Sequence, residues 1–573
     1  FQKKLMNESN IIEENYKSWT KSPFDKKTIS KIIELKKNNL EDFKDSFYRD
    51  LSFGTGGMRG IIGLGPNRVN KYTFGRNTQG ISTYIKNNYN NGIPSVVIAY
   101  DCRNQSQYLA NKVAEIFSAN EIKVFLFSSI KPTPELSYAL IKLNCICGIV
   151  LTASHNPPEY NGYKVYWEDG GQIVPPIDAN LISEINNTKY SEVKFQRNDQ
   201  FIELIDKKID DLFVADSIKN GKIGNSKRED YKIVFTPLHG TSYLIGPRVL
   251  KEAGYSNLKI VKEQSIPDGN FPTLKSPNPE DKEALEMALN LAKVNNSDIF
   301  IGTDPDADRL GIGVKDNSGN YINLNGNQIM IVLTEYLLSK KNVNKSCFIG
   351  STIVSTPMIK KLAKYHDVDI KIGLTGFKWI AKMIKDFPNQ KFIGGGEESY
   401  GYLVGDFVRD KDAITSSLLA CELGSECKSN GKSLYDYLID CYVKYGFFKE
   451  RLISIEKKGI KGVNEIKSIM DNLRIKSINE LVGSKLKLIQ DFENLEETNL
   501  LTGEKSILKF PKSNVLIFES KDGTRVAARP SGTEPKIKFY FSVNMKLESS
   551  EMFKKSNSIL EEKMDKLVSE FNF

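Results

Sequence analysis

The chain has 573 residues, with 80 Lys plus Arg against 71 Asp plus Glu and a formal charge of +9. At roughly 150 residues per domain that length suggests about four domains, enough to bury several cores without disulfide or metal staples. A composition 40% hydrophobic and 26% charged, without a Lys- or Arg-rich run, argues against nucleic-acid binding, and the mild cationic surplus suits small anionic substrates. No apolar stretch approaches the roughly 18 residues of a membrane helix. The polar opening, residues 1–10, lacks a signal-peptide core, and Phe1 in place of Met points to a trimmed start. Seven cysteines without a CxxC pair read as reduced thiols, so a cytoplasmic location is expected.

In chain order, residues 1–50 are predicted helical and charged, with Ile11, Ile12, Ile29, Ile32, Ile33 and Leu35 supplying sparse apolar faces. A glycine-dense loop, Phe53 to Gly60, follows. One pattern then recurs three times: strand 95–100, helix 109–118, strand 124–127; strand 232–235, helix 246–253, strand 258–261; strand 347–350, helix 356–364, strand 369–372. Strand, helix, strand with short connections is a βαβ unit, and its sheet is expected to be largely parallel. Residues 447–457 are polar and followed by Gly459 and Gly462, which suits a linker. Beyond them, helices at 464–472 and 551–570 flank strands at 515–519, 525–529 and 537–542. The expected fold is α/β: three consecutive mixed α/β domains with βαβ units, then a smaller C-terminal α+β domain. The expected divisions are a helical extension 1–50, domains 51–228, 229–342 and 343–448, and a linker with the last domain at 449–573.

Four constellations carry chemistry. Thr152-Ala153-Ser154-His155-Asn156-Pro157 follows a buried-looking strand, so Ser154 stands at the sheet edge as a candidate nucleophile. His155 beside it is a candidate acid, base or anion partner, although the same residues before Pro157 also make an ordinary turn. A serine hydrolase is disfavoured because GxSxG is missing. Asp304, Asp306 and Asp308 alternate after the strand 298–301, converge on one side of an extended segment and repel unless a cation neutralises them. Carboxylate oxygens suit Mg²⁺, and Arg309 is placed to grip a phosphate bidentately; a solvated acidic turn is the plainer alternative. Gly394 to Gly401 brings Glu397 and Ser399, matched to sugar hydroxyls, with Lys411 as a nearby cation. Thr375, Gly376 and Lys378 form a further candidate ligand loop. Arg529-Pro530-Ser531-Gly532-Thr533 offers an Arg, two hydroxyls and a glycine-opened backbone for a phosphate. Lys164 and Arg59 are additional cations, either phosphate-facing or surface. Gly431-Lys432-Ser433 fails as a P-loop, since Glu426 stands where glycine is required, and His239 and His366 lack a zinc ligand set.

These four motifs, one per expected domain and in this order, resemble the α-D-phosphohexomutase superfamily, nearest to its phosphoglucomutase-2-type and phosphopentomutase branch. The likeness covers roughly residues 45–545. It implies four domains around a central cleft, Ser154 as the phosphate-carrying serine, and Asp304, Asp306 and Asp308 with a phosphoserine oxygen as Mg²⁺ ligands. It further implies Arg309, Arg59, His155 and Lys164 in phosphoryl stabilisation or proton transfer. Glu397 and Ser399 become hydroxyl readers, Lys411 a substrate-binding lysine, and Arg529, Ser531, Gly532 and Thr533 the distal phosphate site.

The expected activity is interconversion of glucose 1-phosphate and glucose 6-phosphate through a phosphoserine, with glucose 1,6-bisphosphate as intermediate and activator. Phosphomannomutase, phosphopentomutase and glucose 1,6-bisphosphate synthase are the family alternatives. A haloacid-dehalogenase-like phosphatase using Asp304 and Asp306, and a non-enzymatic polyanion-binding scaffold, are rivals from other classes. Sugar phosphates are the expected partners, with neither nucleic acid nor membrane.

Overall fold

The structure is a computed structural model that describes residues 2–54, 56–316, 318–457, 459–475, 478–531 and 536–571. Helices α1 (Gln2–Trp19), α2 (Lys26–Asn38) and α3 (Leu40–Phe47) form an N-terminal annex. Asp25 starts α2 by accepting the Thr28 N–H at 2.8 Å. Trp19, Phe24, Ile32, Phe43 and Phe47 bury against Tyr72, with the expected Ile12, Ile29 and Leu35 packed on this largely aromatic cluster. Ile11 and Ile33 remain exposed.

The first α/β unit contains β1 (Gly57–Ile61), α4 (Lys71–Asn88), β2 (Ser95–Tyr100), α5 (Ser106–Ala119), β3 (Lys123–Phe127), α6 (Thr133–Lys142), β4 (Cys147–Leu151), β5 (Tyr160–Trp167), α7 (Ile177–Asn187), β6 (Ile202–Ile205) and α8 (Lys207–Gly221). Its sheet runs β1-β5-β4-β2-β3-β6. The second contains β7 (Ile233–Thr236), α9 (Ser242–Ala253), β8 (Leu258–Ile260), α10 (Glu286–Asn295), β9 (Ile299–Thr303), β10 (Leu310–Lys315), β11 (Tyr321–Leu324) and α11 (Gly326–Lys340), with sheet order β11-β10-β9-β7-β8. The third contains β12 (Cys347–Thr352), α12 (Met358–Tyr365), β13 (Asp369–Gly373), α13 (Lys378–Asp386), β14 (Lys391–Gly396), β15 (Tyr402–Val404), α14 (Ala413–Ser429) and α15 (Leu434–Tyr445), with order β13-β12-β14-β15.

The three repeated units are β2–α5–β3, β7–α9–β8 and β12–α12–β13, and each strand pair is parallel. Each sheet becomes mixed in the same way, by an antiparallel strand added on one side: β5 on β4, β10 on β9, β15 on β14. The loop making that reversal carries the Ser154, Asp304 and Glu397 motifs in turn.

The C-terminal unit comprises β16 (Phe447–Glu456), α16 (Gly459–Ile475), β17 (Glu480–Leu481), β18 (Ser484–Asp491), β19 (Glu496–Asn499), β20 (Lys505–Ile507), β21 (Leu516–Ser520), β22 (Arg525–Pro530), β23 (Lys536–Met545) and α17 (Phe553–Ser569). The expected linker at 447–457 is instead a ten-residue strand, paired along its whole length with β23. Its polarity misleads because Lys449 and Arg451 reach Glu561 and Asp565 on the charged helix α17 that covers it. Gly459 likewise begins α16 rather than opening a loop.

Helix α14 is buried along nearly its whole length and packs on α8, α9, α11 and α15, joining elements of all three α/β units. Its cap, Asp412, accepts the Ile414 and Thr415 N–H groups at 2.8 and 3.1 Å. The C-terminal unit docks on the third through Ile353, Val354 and Leu374 against Val515, Ile517 and Ala527. Arg525 adds a hydrogen bond to the Ile353 carbonyl. Among the described residues, no helix is long and apolar enough to cross a membrane.

Candidate active site

Ser154 lies in the β4–β5 reversal with φ +52, a left-handed conformation uncommon for a residue with a Cβ. Two sets of bonds hold it there. Its N–H donates to Thr152 Oγ1 at 2.8 Å. The Arg103 guanidinium donates to the carbonyls of Ser154 (2.5 Å), Pro157 (2.8 Å), Tyr160 (3.1 Å) and Asn156. Arg103 is buried, with Asp101 Oδ2 at 3.4 Å and the Phe271 ring centroid at 5.1 Å. The Ser154 hydroxyl donates to Asp304 Oδ2 at 2.8 Å and lies 3.1 Å from His155 Nδ1. Burial and the Arg309 and Arg59 guanidinium groups hold the His155 pKa well below the usual histidine range, so the ring is neutral. Arg59, on β1, donates to Asn156 Oδ1 at 2.7 Å.

Asp304, Asp306 and Asp308 are buried, each with a carboxylate oxygen within 4.8 Å of the others. Asp304 Oδ1 accepts the Asp308 and Arg309 N–H groups at 3.0 and 2.9 Å. Thr133 Oγ1 and Lys164 Nζ donate to Asp306 Oδ2 at 2.9 and 2.7 Å. Lys164 and Lys411 flank Asp308 Oδ2 at 3.1 and 3.2 Å. Burial opposes ionisation of Asp308, yet these two ammonium groups and Arg309 keep its pKa far below the carboxylate range. The remaining oxygens, Oδ1 of Asp306 and of Asp308, are buried without a hydrogen-bond partner. Unsatisfied buried acceptors are costly, and an all-oxygen set of this spacing fits a hard divalent cation.

The sugar-loop candidate is the β14–β15 reversal. It is stitched to the acidic loop by the Leu310 N–H donating to the Tyr400 carbonyl at 2.9 Å and by an Arg309–Gly401 bridge. Glu397 is buried beside Lys411, Ser399 and Arg309, and burial pushes its pKa up to about 7 against the pull of Lys411. Glu398 turns away and accepts from Thr352 and Ser355 at 3.1 and 3.0 Å. Gly326 is required at the start of α11, because a Cβ there would lie 2.1 Å from the Glu398 carbonyl oxygen. The loop holding Thr375, Gly376 and Lys378 touches the site at its edge, through the Phe377 ring 5.4 Å from Lys411 Nζ. Thr375 Oγ1 is buried without a hydrogen-bond partner and Gly376 has φ +112. Lys378 packs over the Trp379 ring and feels Asp178.

A cleft of about 830 Å³ joins His155, Arg59 and Arg309 to Arg529, Ser531 and Lys538 of the C-terminal unit. Arg529 sits directly opposite Lys538 across β22 and β23. Facing like charges are unfavourable in a sheet, which makes the pair a natural seat for an anion. Gly532 and Thr533 lie outside the described residues. Sequence reasoning missed three participants. Lys538 could have been found from its strand alternation with Lys536, and Arg103 from the Asp101-Cys102-Arg103 loop that follows a buried strand. Glu280, which pairs with Arg309, carried no local signal.

Comparison with known proteins agrees with this architecture. Models of phosphoglucomutase/phosphomannomutase α/β/α domains I, II and III match residues 50–192, 211–319 and 325–445, together more than half of the chain. The chain is 39% identical to a phosphoglucomutase of Staphylococcus epidermidis over 510 residues, covering 88% of this chain and 92% of the relative. It is equally similar to a phosphoglucomutase of Staphylococcus aureus, 39% identical over 505 residues, 87% of this chain and 91% of that one. Two solved structures share the fold. A phosphoglucomutase/phosphomannomutase family protein from Burkholderia thailandensis has a TM-score of 0.65 at 18% identity, covering 89% and 96% of the two chains. The open form of parafusin, a phosphoglucomutase of Paramecium, has a TM-score of 0.66 at 16% identity, covering 91% and 96%. With three consecutive domain matches and 39% identity to a phosphoglucomutase over 88% of its length, the chain belongs to the phosphoglucomutase/phosphomannomutase family, within the α-D-phosphohexomutase superfamily.

Proposed function

We propose that this protein is a phosphoglucomutase: it interconverts glucose 1-phosphate and glucose 6-phosphate by lending the substrate a phosphoryl group carried on Ser154. The observation that carries this reading is the Ser154 hydroxyl, 2.8 Å from Asp304 of the buried carboxylate trio and 3.1 Å from the ring of His155, which lines a cleft reaching Arg529 and Ser531. Phosphoryl transfer needs positioning and charge neutralisation, and the cleft supplies both. Asp304, Asp306 and Asp308 would hold Mg²⁺, which when bound neutralises charge on the transferred group.

The residues divide the work. Arg309 and Arg59 face the moving phosphoryl; Glu397, Ser399 and Lys411 hold the sugar; Arg529, Ser531 and Lys538 anchor the second phosphate. In the forward step the Ser154 Oγ–P bond breaks as a sugar hydroxyl oxygen takes the phosphorus, and that hydroxyl's proton ends on Ser154 Oγ by way of neutral His155, leaving a sugar bisphosphate and a free serine. In the return step Ser154 Oγ attacks the other phosphate, the P–O bond to the sugar breaks, and the serine proton passes through His155 Nδ1 to the released sugar oxygen. Lys164 stays an ammonium against Asp306 and Asp308 throughout. A dehalogenase-like phosphatase is disfavoured because it would leave the Ser154 hydroxyl bonded to Asp304 and the Arg529 turn without a role.

The test is intact-mass measurement of the purified chain before and after glucose 1,6-bisphosphate. One added phosphate mapping to Ser154, absent in Ser154→Ala, is expected together with loss of at least about a thousand-fold in turnover in that variant. Unchanged mass and full turnover of Ser154→Ala would overturn the reading. A panel of glucose, mannose and pentose phosphates then ranks the substrates.

A further inference from the structure

Glu280 is one of four acids, with Glu159, Asp281 and Glu456, in a cleft that Arg59, Arg309, Arg529, Lys536 and Lys538 also line. Its carboxylate pairs with Arg309 Nη1, while Arg309 Nε is buried without a hydrogen-bond partner. The same side chain lines the cleft beside Lys538 and Arg529 and also walls a second cavity of about 230 Å³ against Tyr400 and Tyr540. Lys538, whose pKa burial lowers, is pulled back most strongly by Glu280 among the neighbouring acids. Glu280 therefore stands between the arginine that faces Ser154 and the cations of the distal site.

Its mount is rigid. Pro277 and Pro279 precede it, and Asn278 between them folds the turn by accepting the Glu280 N–H at 3.2 Å with its side chain and the Asp281 N–H at 2.9 Å with its carbonyl. Pro279 packs so closely on Gly311, two residues after Arg309, that a Cβ there would lie 2.9 Å from it. Glu280 and Arg309 are thus fixed to one body, whereas Lys538 and Arg529 belong to the C-terminal unit.

We propose that Glu280 is an internal stand-in for phosphate: its carboxylate occupies the anion's place against Arg309 and gives way when a phosphorylated ligand enters. This rests on the mutase reading above. A guanidinium left bare in a half-buried cleft would collect any stray anion. A tethered carboxylate keeps it paired and aimed, yet yields to a dianionic phosphate able to bridge Arg309 and the distal cations at once. The carboxylate should consequently weaken phosphate binding rather than assist it, the opposite of what a residue that only orients Arg309 would do.

The experiment titrates inorganic phosphate into the full-length chain calorimetrically, comparing the parent with Glu280→Gln and Asp281→Asn and checking each fold by circular dichroism. Glu280→Gln is expected to lower the phosphate Kd about ten-fold, the scale of one like charge removed from a partly buried site. The KM for glucose 1-phosphate should fall with it, and Asp281→Asn should change either value by less than about two-fold. Glu280→Ala replaces Glu280→Gln if the latter does not reach the native spectrum. An unchanged or raised Kd with a lower kcat would make Glu280 an orienting residue and overturn the proposal. Equal tightening by Asp281→Asn would reduce it to bulk charge and overturn it as well. A parent chain that neither binds phosphate nor turns over glucose 1-phosphate would remove the mutase reading, and the proposal with it.

Discussion

At the scale of single residues the site depends on polar groups held where water cannot satisfy them. Arg103 is the clearest case, one guanidinium gathering carbonyls from Ser154 to Tyr160. Arg103→Met removes the guanidinium donor from the Ser154 and Asn156 carbonyls and the counter-charge from buried Asp101, and is expected to cost about 3–5 kcal/mol of unfolding free energy. It should also lower kcat, because Ser154 loses its left-handed backbone; denaturant titration and steady-state kinetics check both. Asp412 gives a pH signature. Burial pushes its pKa from 3.8 up to about 6, against the hydrogen bonds from Thr415 and Ile414. A carboxyl raised on folding contributes stability that is complete below 3.8 and lost as pH climbs through 6. Asp412→Asn keeps a competent helix cap and removes the ionisation. It should raise the melting temperature at pH 7 and leave it nearly unchanged at pH 4, the pH 7 gain reflecting about 3 kcal/mol.

At the scale of elements, the three strand–helix–strand units could be read directly from the sequence, since apolar strands such as 95–100 alternate with amphipathic helices. The four site motifs were equally legible, being short, contiguous and rich in residues that have little structural use in a loop. What stayed hidden was pairing over long separations. That β5, β10 and β15 fold back antiparallel, turning each motif into the tip of a reversal, depends on partners the local pattern does not name. The polar strand β16 was hidden for the same reason: its face is covered by the charged helix α17 rather than by an apolar one. Glu280 is invisible locally because its partners, Arg309 and Lys538, lie far along the chain. One tight element contact gives a direct check. Gly326→Ala would drive a methyl into the Glu398 carbonyl, so a loss of about 1–3 kcal/mol is expected. The displaced Glu397 loop should also raise KM for the sugar phosphate more than it lowers kcat.

At the scale of the whole molecule, three α/β units present their reversal loops to one side, and the C-terminal unit closes the fourth wall of the cleft. The chain passes from α15 into β16 through Gly446 at φ +96. The C-terminal unit meets the third unit through the patch around Ile353, the Arg525 bond and the rings of Tyr435 and Tyr442 on α15 against Phe447 and Phe553, so a swing while the bisphosphate turns would pivot about α15. The first three units are tied together more firmly, for α14 packs on α8, α9, α11 and α15, and buried residues of all three form one continuous cluster. They should therefore melt together, giving one heat-absorption peak in scanning calorimetry where separate domains would give three. A nick or truncation anywhere before residue 429 should accordingly leave no surviving fragment able to fold, so a ribosome releasing this chain early would hand its quality-control proteases the whole product rather than a usable part.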